Sequence, residues 1–399
     1  MASFRIVLRV GLAMTVLLAG GCTSAHGRGA APAVSEVDRS PSAITRFPDP
    51  VTSPFPEATA KALQAVLATV VANYAHSHAV GAPGITAAML TDHGSWTGAA
   101  GTGGDGAVLT PDSMMAVDSI TKTFVAAEVM RLAAMGKVDL NAPLSTYVAH
   151  PPTASGVTVR QTLSMRSGLS DPPGAVFEAM ASAQAAAPAK HWTAQQTLTF
   201  LKPRAVAPGS VPVYANSNYL LLGLLIEKVT GRTVGQVERA DLFTPAGLSR
   251  VAAQDGEKPT PPLAAPPRSL KVAPDGYLPS QSLAGSGEDS FAGIAADAAT
   301  VAKWGYQLYG GRLLPVDSVR AMITQPSAGD IAPDRGYGLG TMVFLGLCTD
   351  PTYGHSGADP GYTTLLAVVP ARHLAAAVLI PDTGRDTNSI MRDLITVLG

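Results

Sequence analysis

The chain has little cysteine, little aromatic content and little charge for its 399 residues. Charged residues make up 14% of the sequence and aromatic residues 6%, and the formal net charge is -1. No basic stripe interleaved with aromatic residues is present, so nucleic acid is not expected as a partner. Hydrophobic residues, by contrast, are abundant. They make up 46% of the chain, enough for a large core, and 40 glycines and 32 prolines predict many loops.

The two cysteines are Cys22 and Cys348. No base lies near Cys348 in the sequence, so an inert buried thiol is expected there rather than a nucleophile. Cys22 follows a segment with Arg5 and Arg9 ahead of the apolar run Val10–Ala19, which is the pattern of a targeting segment. That run is too short to span a bilayer comfortably.

The residues Leu17-Leu18-Ala19-Gly20-Gly21-Cys22 resemble the lipobox of bacterial lipoproteins, although Ala19 stands where leucine is usual. The resemblance implies a signal peptide over 1–21 and a lipid on Cys22, which places the protein at the outer face of the cell membrane. A cleaved signal peptide with secretion, or an uncleaved anchor, is the alternative. A disulfide to Cys348 is not expected if Cys22 carries the lipid. Residues 22–55 have the composition of a flexible tether.

The folded domain is expected over 56–399, beginning with a helix over 58–74 and a hairpin of strands over 85–90 and 95–101. Gly101–Gly106 is predicted to be a turn, because no helix follows it as in a phosphate loop. A proline-rich irregular loop is predicted over 258–281. Further helices are predicted over 119–135, 159–165, 194–201, 218–230, 297–308 and 386–398, and further strands over 337–344, 361–369 and 374–380. This order predicts a sheet completed by distant parts of the chain, with a mainly helical insertion over 138–330.

A hydroxyl and an amine stand three residues apart in Ser119-Ile120-Thr121-Lys122, at the start of an amphipathic run that reaches Met135. Residues i and i+3 share a helix face, so the Lys122 amine is expected to reach the Ser119 hydroxyl. A serine nucleophile needs a base within hydrogen-bond reach, and a desolvated, deprotonated lysine is such a base. Gly136 is predicted to cap the end of the helix. Alone, this pattern is a weak signal that often arises by chance, and without further context it favours a serine N-cap followed by a surface lysine.

Two further motifs follow in the chain, Tyr214-Ala215-Asn216 and His355-Ser356-Gly357. With Ser119 and Lys122 they resemble the S-x-x-K, Y-x-N and K/H-T/S-G elements of the serine β-lactamase and penicillin-binding superfamily. Order and spacing match the branch that holds class C β-lactamases, serine D-Ala-D-Ala carboxypeptidases and related esterases. The resemblance covers roughly residues 57–399. It implies an α/β (α+β) fold of the β-lactamase/transpeptidase type, an antiparallel sheet flanked by terminal helices with an inserted helical domain.

The resemblance also implies roles for the catalytic side chains. Ser119 would attack a carbonyl and form an acyl-enzyme, with Lys122 drawing off its proton. Tyr214 would share the proton transfer, and its phenol needs nearby cations, Lys122 and His355, to lower its pKa. Asn216 would hold the lysine and bind a substrate amide. No cofactor and no metal are implied.

The third motif is expected to line the cleft on an edge strand, with Gly357 letting the substrate backbone come close. The backbone N–H groups of Ser119 and Ala358 would form the oxyanion hole. The Ser356 hydroxyl keeps recognition of a substrate carboxylate feasible. Class C β-lactamases usually carry lysine where this chain has His355, and that difference favours the carboxypeptidase-like and esterase-like members.

A second departure is Met165-Arg166, where the family often has His-Thr, and it is expected to affect packing of the helical domain more than catalysis. The expected activity is therefore hydrolysis of an amide or ester, D-Ala-D-Ala carboxypeptidase-like or esterase-like, ahead of efficient β-lactam hydrolysis. The substrate is a small molecule or a peptidoglycan peptide, and a monomer is expected.

Three other interpretations remain open from the sequence. Gly354-His355-Ser356-Gly357-Ala358 is a near match to the nucleophile elbow of α/β-hydrolases, but a strand rather than a helix is predicted after it. His76 and His78 are half of a metal site at most, and are read as solvated residues at a helix end. A lipid-anchored receptor that binds penicillin or wall fragments with little or no turnover is the non-enzymatic alternative.

Overall fold

The computed structural model describes residues 45–77, 84–151, 153–171, 194, 196, 206–209, 211–266, 290–324, 331–359 and 361–399. Its strands are β1 Ile85–Leu90, β2 Ser95–Ala100, β3 Met115–Ala116, β4 Val251–Ala253, β5 Ile294–Ala296, β6 Arg335–Tyr337, β7 Met342–Phe344, β8 Thr352–Asp359, β9 Tyr362–Val369 and β10 Leu374–Ile380. Its α-helices are α1 Glu57–Ser77, α2 Thr121–Ala134, α3 Val159–Leu163, α4 Asn216–Thr230, α5 Val234–Glu238, α6 Ala298–Tyr309, α7 Val316–Ile323 and α8 Thr387–Val397.

Seven strands form one antiparallel sheet in the order β2-β1-β10-β9-β8-β7-β6. The hairpin at the beginning of the folded domain therefore pairs with the last strand of the chain, with Thr86 opposite Leu379. The central strands β9 and β10 are buried along their whole length, because helices cover both faces of the sheet. The predicted antiparallel sheet built from distant parts of the chain is confirmed.

Helices α1 and α8 pack against each other and against the sheet, and α6 packs on β1, β9 and β10. At Gly305 of α6 a side chain would collide with Leu366 and Val368 of β9, so the helix lies very close to the sheet. Trp304, also on α6, donates from Nε1 to Thr123 Oγ1 on α2 at 2.8 Å. Helix α6 thus connects the sheet to α2. It lies within 138–330 and yet packs on the sheet, so the helical insertion ends earlier than predicted.

Several predicted boundaries are corrected by the structure. Residues 45–55, predicted as part of the tether, are docked on the domain, because Phe47 and Phe55 are buried and Phe55 N donates to Ser95 O. The single strand predicted over 337–344 is a hairpin of β6 and β7. Strand β8 is not an edge strand, since β9 and β7 flank it. Only residues 352–354 of β8 pair with β7, however. The half of β8 from His355 onward therefore pairs with β9 alone.

Other predictions agree closely with the structure. Helix α2 ends at Ala134, and Gly136 follows with φ +71°. Helix α4 ends with Gly231 in the left-handed conformation, and α6 is capped by Asp297, whose side chain accepts from Thr300 N. Gly101–Gly106 forms turns with no helix after them.

The predictions for the signal peptide 1–21, the lipidated Cys22 and most of the helix over 194–201 lie outside the described residues. Helix α1 ends at Ser77, and His78 is also outside them. No helix within the described ranges is long and apolar enough to cross a membrane.

Candidate active site

Ser119 lies in a 3₁₀ turn, Asp118–Ile120, that leads directly into α2. The turn is held from two sides. Val117 N donates to Ile294 O on β5 at 2.9 Å, and Thr364 Oγ1 on β9 donates to Val117 O at 2.9 Å. These contacts tie the segment before Ser119 to both sheets, while the Ser119 side chain itself stays partly exposed.

Lys122 is completely buried one turn along α2 from Ser119. Its Nζ lies 2.8 Å from Ser119 Oγ and 3.0 Å from the backbone oxygen of Phe291. The rings of Tyr214, Tyr219 and Phe291 surround Nζ at 5.3, 5.8 and 5.6 Å from their centroids. An amine held this close to a partly exposed hydroxyl, in an enclosure of aromatic rings, is placed to take the proton of that hydroxyl.

The Tyr214 ring completes this side of the site, with its centroid 5.3 Å from Lys122 Nζ, and the Ser119 hydroxyl acts to lower the pKa of its phenol. Burial of the phenol raises the pKa of Tyr214 well above its ordinary value, and the nearby Asp118 carboxyl raises it further. The expectation that cations lower this pKa is wrong, because burial raises it and the charged group that acts most strongly on the phenol is the Asp118 carboxyl. Tyr214 therefore stays a neutral phenol around pH 7, which can both donate and accept a proton.

The segment that carries Tyr214 is fixed by Met165 and Arg166, the two residues that stand where the family often has His-Thr. Val213 N donates to Met165 O at 2.8 Å, and Gly209 N donates to Arg166 O at 2.7 Å. Met165 has φ +60° and is buried, in keeping with the expected effect on packing.

Asn216 is the first residue of α4. Its Oδ1 is buried and has no hydrogen-bond partner among the residues that the structure describes. The expected contact in which Lys122 donates to this oxygen is therefore not formed. A buried amide oxygen without a donor is costly, and a substrate N–H in the cleft can supply one.

His355 is completely buried in β8, with ring nitrogens that both have partners. Nδ1 lies 2.6 Å from the backbone oxygen of Ser356, which only accepts, so Nδ1 carries the hydrogen. Nε2 then accepts from the hydroxyl of Tyr337 at 3.2 Å. Burial, reinforced by Lys122, lowers the pKa of His355 to about 3. The imidazole is therefore neutral around pH 7 and does not serve as the cation expected beside Tyr214.

The hydroxyl of Ser356 is partly exposed and lies 3.0 Å from Nη1 of Arg335, which donates to it from β6. The Arg335 side chain is 26% exposed, and Asp334 approaches its Nε at 3.6 Å. A guanidinium beside a hydroxyl is a suitable partner for a carboxylate. Ser356 lies within a strand that pairs with β9, opposite Leu365, so it is not at a nucleophile elbow.

Gly357 brings β8 against the segment that carries the nucleophile. A side chain there would meet Thr364 Oγ1 at 2.3 Å and Val117 O at 2.5 Å. The glycine is thus required for contact within the protein, where the sequence analysis expected an approach by substrate. Ala358, the next residue, is exposed, and its backbone N–H acts on the Asp118 carboxyl together with that of Ser119. The two amides expected to form the oxyanion hole therefore influence the same carboxyl, and both lower its pKa.

The structure brings Ser119, Lys122, Tyr214 and the 355–358 segment together, and adds residues that sequence reasoning missed. Phe291 holds the lysine through its backbone oxygen, Arg335 contacts Ser356, and Tyr337 contacts His355. No local pattern marks any of the three, because each reaches the site from another element. Within the described ranges no group of three His, Cys, Asp or Glu side chains is arranged to hold a metal ion.

Comparison with known proteins places this geometry in a family. Penicillin-binding protein 4 of Amycolatopsis lactamdurans is 26% identical over 330 residues, which are 74% of this chain and 78% of the relative. The Bacillus subtilis protein PbpX, described as a penicillin-binding protein, is 25% identical over 257 residues. That match covers 62% of this chain and spans only 57% of the length of PbpX.

Among solved structures, a D-stereospecific amidohydrolase from Streptomyces sp. is similar with a TM-score of 0.69 and 27% sequence identity. The similarity covers 83% of this chain and 97% of that one. The beta-lactamase family itself matches residues 63–397, nearly the whole of the folded domain. The chain therefore belongs to the beta-lactamase family.

Proposed function

We propose that the protein is a serine hydrolase that cleaves an amide next to a D-configured, C-terminal residue, in the manner of a D-Ala-D-Ala carboxypeptidase. The Ser119 oxygen bonds to the substrate carbonyl carbon while its proton passes to Lys122, and the C–N bond breaks as the leaving amine takes up a proton. Water then hydrolyses the ester on Ser119 and releases the acid. The hydrogen bond between Lys122 and Ser119, with the Tyr214 phenol beside them, supports this sequence of steps.

Lys122 is the better candidate for the base in this scheme. The raised pKa of Tyr214 disfavours its phenolate, so the phenol is suited to relay a proton and not to remove one outright. The Lys122 nitrogen is also within 2.8 Å of the oxygen that must lose its proton.

The single observation that supports a substrate with a free carboxylate is the contact between Arg335 and Ser356. Both groups are partly exposed at the free half of β8, and together they offer a charged donor and a hydroxyl donor to one carboxylate. An ester or an amino acid amide has no carboxylate at this position. The Streptomyces relative is named for D-stereospecific amide hydrolysis and the two other relatives for penicillin binding, which supports a D-configured amide as the bond that is cut.

The test compares one peptide ending in D-Ala-D-Ala with the same peptide carrying a C-terminal amide, and with a p-nitrophenyl ester. Wild type should cleave the free acid most efficiently. Arg335→Gln should raise KM for the free acid by about 10-fold to 100-fold, because a charge-assisted contact is lost, and should leave the ester rate nearly unchanged. Arg392→Gln, on the exposed side of α8, is the matched control and should change neither.

Intact-mass measurement completes the test. An acyl adduct should form in wild type and be absent in Ser119→Ala. If Arg335→Gln lowers acid and ester turnover equally, carboxylate recognition is refuted and an esterase remains. If wild type gives a lasting penicillin or peptide adduct with no released product, the protein is a receptor and not a hydrolase.

A further inference from the structure

Asp118, directly before the nucleophile, is a buried acid in an unfavourable backbone conformation. Its side chain is 5% exposed and its φ is +52°, a value that residues with a side chain rarely adopt. Such a conformation persists only where the surrounding structure imposes it, and it is typical of functional positions. Here the neighbours are Val117, which is anchored to both sheets, and Gly357, whose missing side chain would come within 3.0 Å of Asp118 Cβ.

The Asp118 carboxyl lies beside the two amides that are expected to form the oxyanion hole, because Asp118 directly precedes Ser119 and packs against Gly357, the neighbour of Ala358. The backbone N–H groups of Ser119 and Ala358 both act on it and favour its charged form. Oδ1 also lies 3.4 Å from the Ser119 hydroxyl. Oδ2 is buried and has no hydrogen bond of normal geometry to any residue in the described part of the chain. An anion-binding position that is lined by two amides is thus already filled by an acid of the protein itself.

We infer that Asp118 is an internal occupant of the oxyanion hole, which competes with the substrate carbonyl for the Ser119 and Ala358 amides and so limits the rate of acylation. The inference rests on the proposed function through the acylation of Ser119. It makes Asp118 a rate-limiting residue of the site rather than a catalytic one. Substrate must displace the carboxyl, or the carboxyl must lose its charge, before the carbonyl oxygen can be bound.

The charges around Asp118 determine when this competition is strong. The titratable groups that act on it are Lys122 on α2 and Tyr214 ahead of α4, while β8 contributes the Ala358 amide. Burial raises the pKa of Asp118 to about 6 although Lys122 opposes the rise. The carboxyl is therefore charged at pH 8 and mostly neutral at pH 5. When charged it also favours the ammonium form of Lys122, because electrostatic coupling is reciprocal, and the ammonium cannot accept the Ser119 proton.

The test measures acylation of Ser119 by a p-nitrophenyl ester and a fluorescent penicillin in wild type, Asp118→Asn and Asp118→Gly. Asparagine copies the neutral acid, so the ratio of Asp118→Asn to wild type should be about 1 at pH 5 and about tenfold or more at pH 8. Glycine removes the occupant and suits the positive φ, so this variant should be faster than wild type at every pH. Asp112→Asn, an exposed acid six residues earlier, is the matched control and should give a ratio of 1 throughout.

A second readout needs no activity. In the full chain labelled with ¹⁵N-serine and ¹⁵N-alanine, the amide signals of Ser119 and Ala358 should titrate near pH 6 in wild type and not in Asp118→Asn. Absence of that titration, or variants no faster than wild type at pH 8, overturns the inference. If the amides titrate but no protein is acylated, Asp118 is confirmed in the oxyanion hole and the proposed function is what fails.

Discussion

The candidate site has two sides, the α2 wall around Ser119 and Lys122 and the β8 wall around His355. Different kinds of interaction hold the two walls. On the α2 wall the side chains next to the nucleophile are ionisable and buried, namely Asp118 and Lys122. On the β8 wall the central group is His355, which is uncharged and is fixed by a backbone oxygen and the Tyr337 hydroxyl. The α2 wall therefore carries the groups that can exchange protons, whereas the β8 wall presents an uncharged imidazole to them.

This difference shows how one fold separates chemistry from support. A charge on His355 would lie near Lys122 and oppose it, and the imidazole avoids this by staying neutral. At the exposed margin of the same wall, the positively charged Arg335 donates a hydrogen bond to Ser356. Under the proposed function, an anionic substrate would bind at this margin of the β8 wall, apart from the ionisable groups of the α2 wall.

The largest expected effect comes from removing the Lys122 amine from the α2 wall. Lys122→Met keeps the bulk of the side chain but removes the base, so the acylation rate should fall by about 10²-fold to 10⁴-fold. Stopped-flow acylation with a chromogenic ester measures it. Lys228→Met, on the exposed face of α4, should leave the rate unchanged. A loss smaller than tenfold would transfer the role of base to Tyr214.

The second prediction concerns the ion pairs behind α2. Glu128 is fully buried and accepts two hydrogen bonds from Arg131, at 2.8 and 2.9 Å, and Arg131 also contacts Asp241. Glu128→Ala should lower the free energy of unfolding by about 3 kcal/mol, because it leaves a partly buried guanidinium with one partner fewer. Urea denaturation followed by circular dichroism measures this. Glu57→Ala removes the exposed ion pair with Lys61 and should change little, whereas equal losses in both variants would contradict the argument.

The third prediction sharpens the neutral character of the β8 wall. The pKa of His355 is about 3 in the folded protein and 6.5 without the fold, so between these values the unfolded chain binds one more proton. The free energy of unfolding contributed by this group should therefore rise with pH, by about 1.4 kcal/mol per pH unit. Comparison of wild type with His355→Gln between about pH 4 and 6 isolates it, because other groups titrate in both proteins. A constant difference between the two would show that the imidazole is not kept neutral by burial.

Much of the α2 wall could be predicted from the sequence because its information is local. Ser119 and Lys122 are one helical turn apart, and apolar periodicity over the following residues predicts the helix that presents them. The same holds for the hairpin of β1 and β2 around its turn. Tyr214 and His355 were found through their resemblance to family motifs, since nothing in the spacing of the three motifs alone brings them together.

What could not be predicted depends on contacts across the fold. Arg335 reaches Ser356 from β6, a strand that does not pair with β8, so no pattern along the chain links the two. The neutral state of His355 follows from burial, which a sequence does not report. Residues 45–55 have the composition of a tether and still pack on the domain, because Phe47 and Phe55 supply apolar surface that outweighs their flexible surroundings.

Strand β10 is the last strand of the chain and lies between β1 and β9. Without β10 the β1–β2 hairpin is not joined to the remaining strands of the sheet. Helix α6, which contacts α2 through Trp304, then lacks part of the sheet surface on which it packs. During translation Ser119 is therefore synthesised long before the strand that completes the sheet. We therefore expect a chain that terminates before β10 to be inactive, because it lacks the strand that joins the two parts of the sheet.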